Sequence, residues 1–232
     1  SNPGFRSRIA HHIDFPDYAL TELMEIVELL LAGQQYRLDA VSRQALVDEL
    51  LDLLDRDPAY RHFMLDGQTI VVDDYLEVRP QARARIEKLV RDGRLAIGPW
   101  HVLPDEWLVS GEALLRNLRL GLAKADAFGG GMRVGYVPDQ FGHVGQLPQL
   151  FAGFGFPAAV LWRGVGADVD RTLFHWESPD GTRLPTVYLL HGYGNAVNLP
   201  TEPEALAARI DGEARALGRR SDVSTLLLMN GS

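Results

Sequence analysis

The chain has 232 residues, enough for one large α/β unit or two small domains, and its alternating pattern favours one. With 23 Lys and Arg against 31 Asp and Glu, its net charge is -8 and its pI about 5.3, which excludes a nonspecific nucleic-acid binder and repels anionic membranes. There is no cysteine, so disulfide scaffolds, Cys-ligated zinc, iron–sulfur clusters and thiol catalysis are excluded, and any metal must sit on His, Asp, Glu or main-chain oxygen.

The apolar positions Leu20, Leu23, Met24, Val27, Leu30 and Leu31 recur at three and four and predict a helix over 17–32 with Gly33 as its cap. A second helix is expected over 42–55, with Leu46, Leu50, Leu53 and Leu54 as its buried stripe and Asp57-Pro58 as its stop. A strand over 61–65 follows. Pro80 opens a helix through Val90 with Gly93 at its end, and 95–97 reads as a short buried strand. Ser110 caps a helix to Phe128, stopped by Gly129-Gly130-Gly131. Strand 134–137, helix 148–154 and strand 158–162 come next. Segments 173–177 and 184–190, split by Ser178-Pro179-Asp180-Gly181, form a hairpin. Thr201-Glu202-Pro203-Glu204 reads as a capping box for a helix to Leu217, and 223–229 as a last apolar strand.

No apolar run reaches the roughly 20 residues needed to span a bilayer, and no basic stretch followed by an apolar one opens the chain. The expected location is cytoplasmic. The strand–helix cadence predicts parallel pairing, hence a β/α barrel or a doubly wound sheet, with chemistry at the C-terminal ends of strands. The strand-end positions are Asp66, Trp100, Asp139, Arg163, His191 and Asn230. The glycine patterns of nucleotide binding and the Gly-x-Ser-x-Gly elbow are absent.

Residues 137–148 (VPDQFGHVGQLP) are dense in special residue types. Pro138 stiffens the exit from the strand, Gly142 and Gly145 permit tight backbone, and Asp139 is aimed at the strand's mouth. On these residues alone, a turn-forming Asp139 with a core Phe141 and a buried His143 is as good a reading as a site.

The stretch from Gly135 through Asp139 and His143 to Leu150 resembles the nucleophile segment of the family 38 glycoside hydrolases, the retaining α-mannosidases. Four further segments agree in order: FMLDGQ at 63–68 with DYLE at 74–77; IGPW at 97–100 with PDE at 104–106 and SGE at 110–112; LWRG at 161–164; and LLLMNGS at 226–232. The likeness covers 44–232, whereas 1–43 is atypical.

The resemblance implies a single α/β domain over 1–232, a (β/α)7-type barrel incomplete at both ends. It implies hydrolysis of terminal α-mannosidic bonds with retention of configuration, on a mannose-containing glycan or mannoside, assisted by one zinc ion. Asp139 matches the nucleophile that also ligates zinc. Trp100 and Phe141 fall where the family lines its sugar site, and Arg163 would orient Asp139. His12 and Asp14 match the His-x-Asp zinc pair, although Ile13 and 15–17 depart from the family pattern. In the family an Asp acting as acid/base follows Met-Asn-Gly-Ser, and a further zinc His lies beyond it. The chain is therefore expected to lack its acid/base partner, and open strand edges predict pairing with another copy.

Two rivals stand beside this reading. One is a non-catalytic carbohydrate-binding or assembly module on the same fold. The other is a different metal-dependent hydrolase, with His143 or His191 as ligand.

Overall fold

The structure, a computed structural model, describes residues 40–231, with side-chain surroundings from residue 45 onward. The helix expected over 17–32 and the His12/Asp14 pair lie outside the described residues. Contacts divide the chain after Leu53, and the site belongs to the unit that begins at Leu54.

Helix α1 (Ala40–Arg56) forms where the periodicity places it, but its buried stripe is Val47, Leu51 and Leu54, and Leu46 is 70% exposed. Two apolar rows run side by side here, one residue apart. Spacing alone does not choose between them.

Strand β1 (Phe63–Met64) pairs parallel with β2 (Leu95–Ala96), Phe63 opposite Leu95. The crossover contains α2 (Ile70–Val78), a 3-10 turn (Pro80–Ala82) and α3 (Arg83–Arg91). Pro80 thus opens a tighter turn, and the α-helix starts three residues later than expected. Gly93, at φ +70°, ends α3 as expected, with its N–H donating to Val90 and that of Arg94 to Leu89. That pair of bonds satisfies the last carbonyls of the helix.

Helix α4 (Gly111–Ala127) is capped by Ser110, whose hydroxyl accepts from the Ala113 N–H at 3.2 Å. Its Gly121 lies against the main chain of 99–101, where a Cβ would come within 2.2 Å of the Pro99 oxygen and the Trp100 carbonyl carbon. Then follow β3 (Gly135–Val137), α5 (Leu147–Gly153) and β4 (Ala159–Leu161). The expected hairpin forms as β5 (Leu173–Glu177) and β6 (Arg183–Tyr188). The order of this four-stranded sheet is β3-β4-β6-β5, parallel except for the edge strand β5.

The core lies between this sheet and helices α4 and α5: Trp100, Leu118, Val137, Phe151 and Leu161 are essentially excluded from solvent. Each such side chain contributes roughly 1.5–3 kcal/mol by leaving water.

Three expectations need correction. The described strands form two sheets, of two and four strands, and do not close a barrel; the fold is α/β with mainly parallel pairing. The capping box at Thr201 is not made: α6 (Pro203–Gly218) starts after Glu202, and no side chain caps it. Residues 223–229 are not a strand. The Asn195 side chain accepts from the Met229 N–H at 2.7 Å, and the Ala196 N–H donates to the Met229 oxygen at 2.7 Å, so the segment is tied to a turn instead of a sheet.

Candidate active site

The carboxyl ends of β1, β3 and β4 deliver Asp66, Asp139 and Arg163 to one rim. Arg163 donates its Nε–H to Asp139 Oδ1 at 2.8 Å. The Tyr193 hydroxyl reaches the same carboxylate, at 3.3 Å from Oδ1 and 3.5 Å from Oδ2. Oδ1 is therefore the anchored oxygen, and Oδ2 is the less engaged one. The Asp139 side chain is 44% exposed, so the carboxylate is held without being sealed in.

Aromatic rings fix the cation. The Arg163 guanidinium lies 3.8 Å from the Trp162 ring centroid and 5.7 Å from that of Phe141. Trp162 packs edge-on against Tyr193 at 4.8 Å. Gly192, at φ +70°, lets the chain pass Trp162: a Cβ there would meet the indole at 2.8 Å. Hydrogen bonding to Asp139 raises the Arg163 pKa further, so this cation stays charged throughout the ordinary range.

Asp66 belongs to the same electrostatic neighbourhood. Partial burial is the main cause of its raised pKa; the Asp139 charge adds to the rise, and the hydrogen bond from Gln68 Nε2 at 3.1 Å opposes it. Its backbone is left-handed, at φ +42°, which is unusual outside glycine. Burial, then Asp66 and Asp139, also push the Tyr136 hydroxyl up, so it remains a neutral phenol.

The structure brings Arg163 to Asp139, and Phe141, 83% exposed, lies by the Arg163 guanidinium. Trp100 goes elsewhere. It is fully buried, packs edge-on against Phe151 at 5.9 Å and donates its indole N–H to the Tyr136 oxygen at 2.9 Å. It is a core residue beneath the rim, because a ring this size, once covered by α4, needs a partner for its N–H. His191 pairs with Glu213 of α6 at 2.8 Å, and Asn230 sits in the irregular terminal segment. Neither forms a hydrogen bond or ion pair with Asp139, whose partners are Arg163 and Tyr193. Two apolar clefts, one beside Leu173 and Leu217 and one beside Leu115 and Leu150, do not include Asp139. The carboxylate lies on an open rim.

Sequence reasoning missed Tyr193 and Trp107. Tyr193 stands between Gly192 and Gly194 just beyond β6, a placement that could have marked it. Trp107 is 66% exposed beside Gly142, where a Cβ would come within 2.8 Å of its indole nitrogen.

Residues 16–231 match the profile of the glycosyl hydrolases family 38 N-terminal domain. The chain belongs to glycosyl hydrolase family 38. It is 40% identical over 199 residues to the Halalkalibacterium halodurans protein named "Putative mannosylglycerate hydrolase", covering 80% of this chain and 22% of that one. A solved α-mannosidase from Enterococcus faecalis V583 superimposes with a TM-score of 0.76 at 38% identity, over 82% of this chain and 22% of that chain. A shorter likeness, 58% over 50 residues, links 22% of this chain to 16% of the plasmid CbxX protein of Cupriavidus necator. The chain thus spans about a fifth of the length of the family 38 proteins it matches.

For this family 38 chain the fit of a zinc ion rests on the donor set. Among the described residues no group of three or more His, Cys, Asp or Glu converges as metal ligands would. Asp139 offers one less engaged oxygen, and both ring nitrogens of His143 are already engaged, one with Glu106 at 2.8 Å and the other with the Arg163 oxygen at 2.9 Å. The described residues alone do not fit the metal. Also among the described residues, no helix is long and apolar enough to cross a membrane.

Proposed function

We propose that the protein containing this chain hydrolyses terminal α-mannosidic bonds with retention, through a covalent glycosyl-enzyme on Asp139. The observation that carries this reading is the half-open Asp139 carboxylate, anchored through Oδ1 by Arg163 and Tyr193 with Oδ2 left to react. Both family 38 relatives described above carry names that refer to a mannosyl group, which supports mannosides as the substrate class.

In this reading Oδ2 attacks the anomeric carbon as the bond to the leaving oxygen breaks, and that oxygen takes a proton from a second carboxyl group. Water then attacks the same carbon, gives its proton to the second carboxylate and releases Asp139. Retention requires the two carboxyl groups to lie about 5–5.5 Å apart. The second group is the Asp that follows Met-Asn-Gly-Ser in the family pattern, past Ser232. Phe141 offers an exposed apolar face to the C–H surface of the sugar. Asp66 faces the same rim and, holding its proton more readily than a free Asp, suits a contact with a sugar hydroxyl. A zinc ion with Asp139 among its ligands belongs to this proposal, but no step is drawn through it.

The test is turnover of an aryl α-mannoside with added zinc, comparing this chain with a protein extended past Ser232. The extended protein should turn over the substrate, and its Asp139→Asn variant should not. An inactive extended protein contradicts the reading. Mannose binding that survives Asp139→Asn without any turnover favours the non-catalytic module.

A further inference from the structure

Beneath the rim lies a buried ionisable pair that the proposed reaction does not use. The Glu106 side chain is fully excluded from solvent and that of His143 is 8% exposed. Every polar atom of the pair has a partner. Glu106 Oε1 faces His143 Nδ1 at 2.8 Å, and Oε2 accepts from the Val144 N–H at 2.8 Å. His143 Nε2 faces the main-chain oxygen of Arg163 at 2.9 Å. A carbonyl oxygen can only accept, so Nε2 carries a hydrogen, and Nδ1 shares a hydrogen bond with Glu106. We infer that His143, clamped by Glu106, positions Arg163 against Asp139.

The remaining contacts show why this clamp acts on the rim. Arg163 is held three times: its N–H donates to the Pro138 oxygen at 2.9 Å, its oxygen accepts from His143, and its Nε–H donates to Asp139. Gly164, at φ +75°, presses so closely on the neighbouring loop that a Cβ would come within 2.6 Å of the Gln140 oxygen and the Gly142 nitrogen. Gln140 Nε2 donates to the Pro104 oxygen at 2.8 Å, tying that loop back to the segment bearing Glu106. Three loops, 104–106, 138–144 and 163–164, therefore meet at the His143 ring. Trp176 of β5 covers its face edge-on, with centroids 5.1 Å apart. The charged groups facing the ring are Glu106 and Arg163, whose guanidinium turns away towards Asp139. Removing one partner would leave the other with an unsatisfied buried polar atom. His143 and Glu106 touch no reacting atom and are positioning residues.

This assignment stands on contacts within the chain and does not depend on which bond the site cleaves. It is tested in the chain as it is by hydrogen exchange at Arg163 Nε. Glu106→Ala, which removes the clamp, should raise that exchange at least tenfold; Glu106→Gln, which keeps the shape and can still hold the ring and the Val144 N–H, should raise it less. Where Glu106→Ala does not fold, Glu106→Asp, which shortens the reach, takes its place. A purely structural pair would lower the melting temperature in each variant and leave Arg163 exchange unchanged. That result overturns the positioning role and leaves the Asp139 proposal untouched.

Discussion

Arg163 grips the segment of Asp139 at two points, through its main-chain N–H to the Pro138 oxygen and through its Nε–H to Asp139 Oδ1. The first bond continues the parallel pairing of β4 with β3 past the last paired residues, Val137 and Leu161. The second uses that registration to set a side chain. Because β3 and β4 are paired, the acid and its cation arrive together.

Arg163→Met should lower mannoside turnover by about a hundredfold, the scale of losing one preorganised electrostatic partner. Stability should change little, because this ion pair is partly solvated, with side chains 36% and 44% exposed. Turnover measured beside a thermal melt separates the two effects. A large loss of stability would make Arg163 a fold residue.

Asp66 supplies a pH signature. Its folded pKa is raised above the usual 3.8, so between 3.8 and that higher value the folded state holds a proton that the unfolded chain has released. Stability from this group is therefore present at low pH, falls as pH rises through that window, and stays lost above it. Asp66→Asn keeps an acceptor for Gln68 and tolerates the left-handed backbone, and should melt higher than the parent at pH 7 with no such gain at pH 3. Equal shifts at both pH values would contradict the assigned cause.

The fold was most legible where one local rule had no competitor. Ser110 as the cap of α4, Gly93 as the stop of α3 and the hairpin of β5 and β6 follow from turn and cap chemistry confined to a few residues. Leu46 shows the limit of periodicity: the sequence carries two apolar rows, and packing chose the other. The run 223–229 has strand composition, but the side chain of Asn195, about 34 residues earlier, takes its main-chain groups, and no local pattern contains that partner. At the site, Asp139 and Arg163 were readable because each stands just beyond a strand end, and Phe141 through the likeness to family 38. Trp100 has the same kind of placement, yet its ring is drawn inward by Phe151 and the Tyr136 carbonyl, a contact that depends on how the two sheets meet.

Trp100 can be checked directly. Trp100→Phe should cost roughly 1–3 kcal/mol, because the Tyr136 oxygen loses its buried donor and the smaller ring leaves space beside Phe151. Denaturant unfolding measures this. A neutral substitution would contradict the core placement.

Gly135 and Gly153 form a matched pair. A Cβ on Gly135 would lie 2.4 Å from the Phe151 ring, whereas one on Gly153 meets nothing within 4 Å. Gly135→Ala should destabilise by about 1–3 kcal/mol through overpacking, and Gly153→Ala at the end of α5 should be neutral or mildly stabilising. The melting temperatures of the two variants should move apart, and equal shifts would mean that Phe151 yields freely.

The most direct test of the account is to trap the glycosyl-enzyme. A protein extended past Ser232, treated with a fluorinated mannosyl fluoride that slows release from the enzyme, is digested and its peptides are weighed. The account expects one added fluoromannosyl mass on the peptide containing Asp139, and none in Asp139→Asn. A label on a different carboxylate, or full turnover by Asp139→Asn, would contradict it.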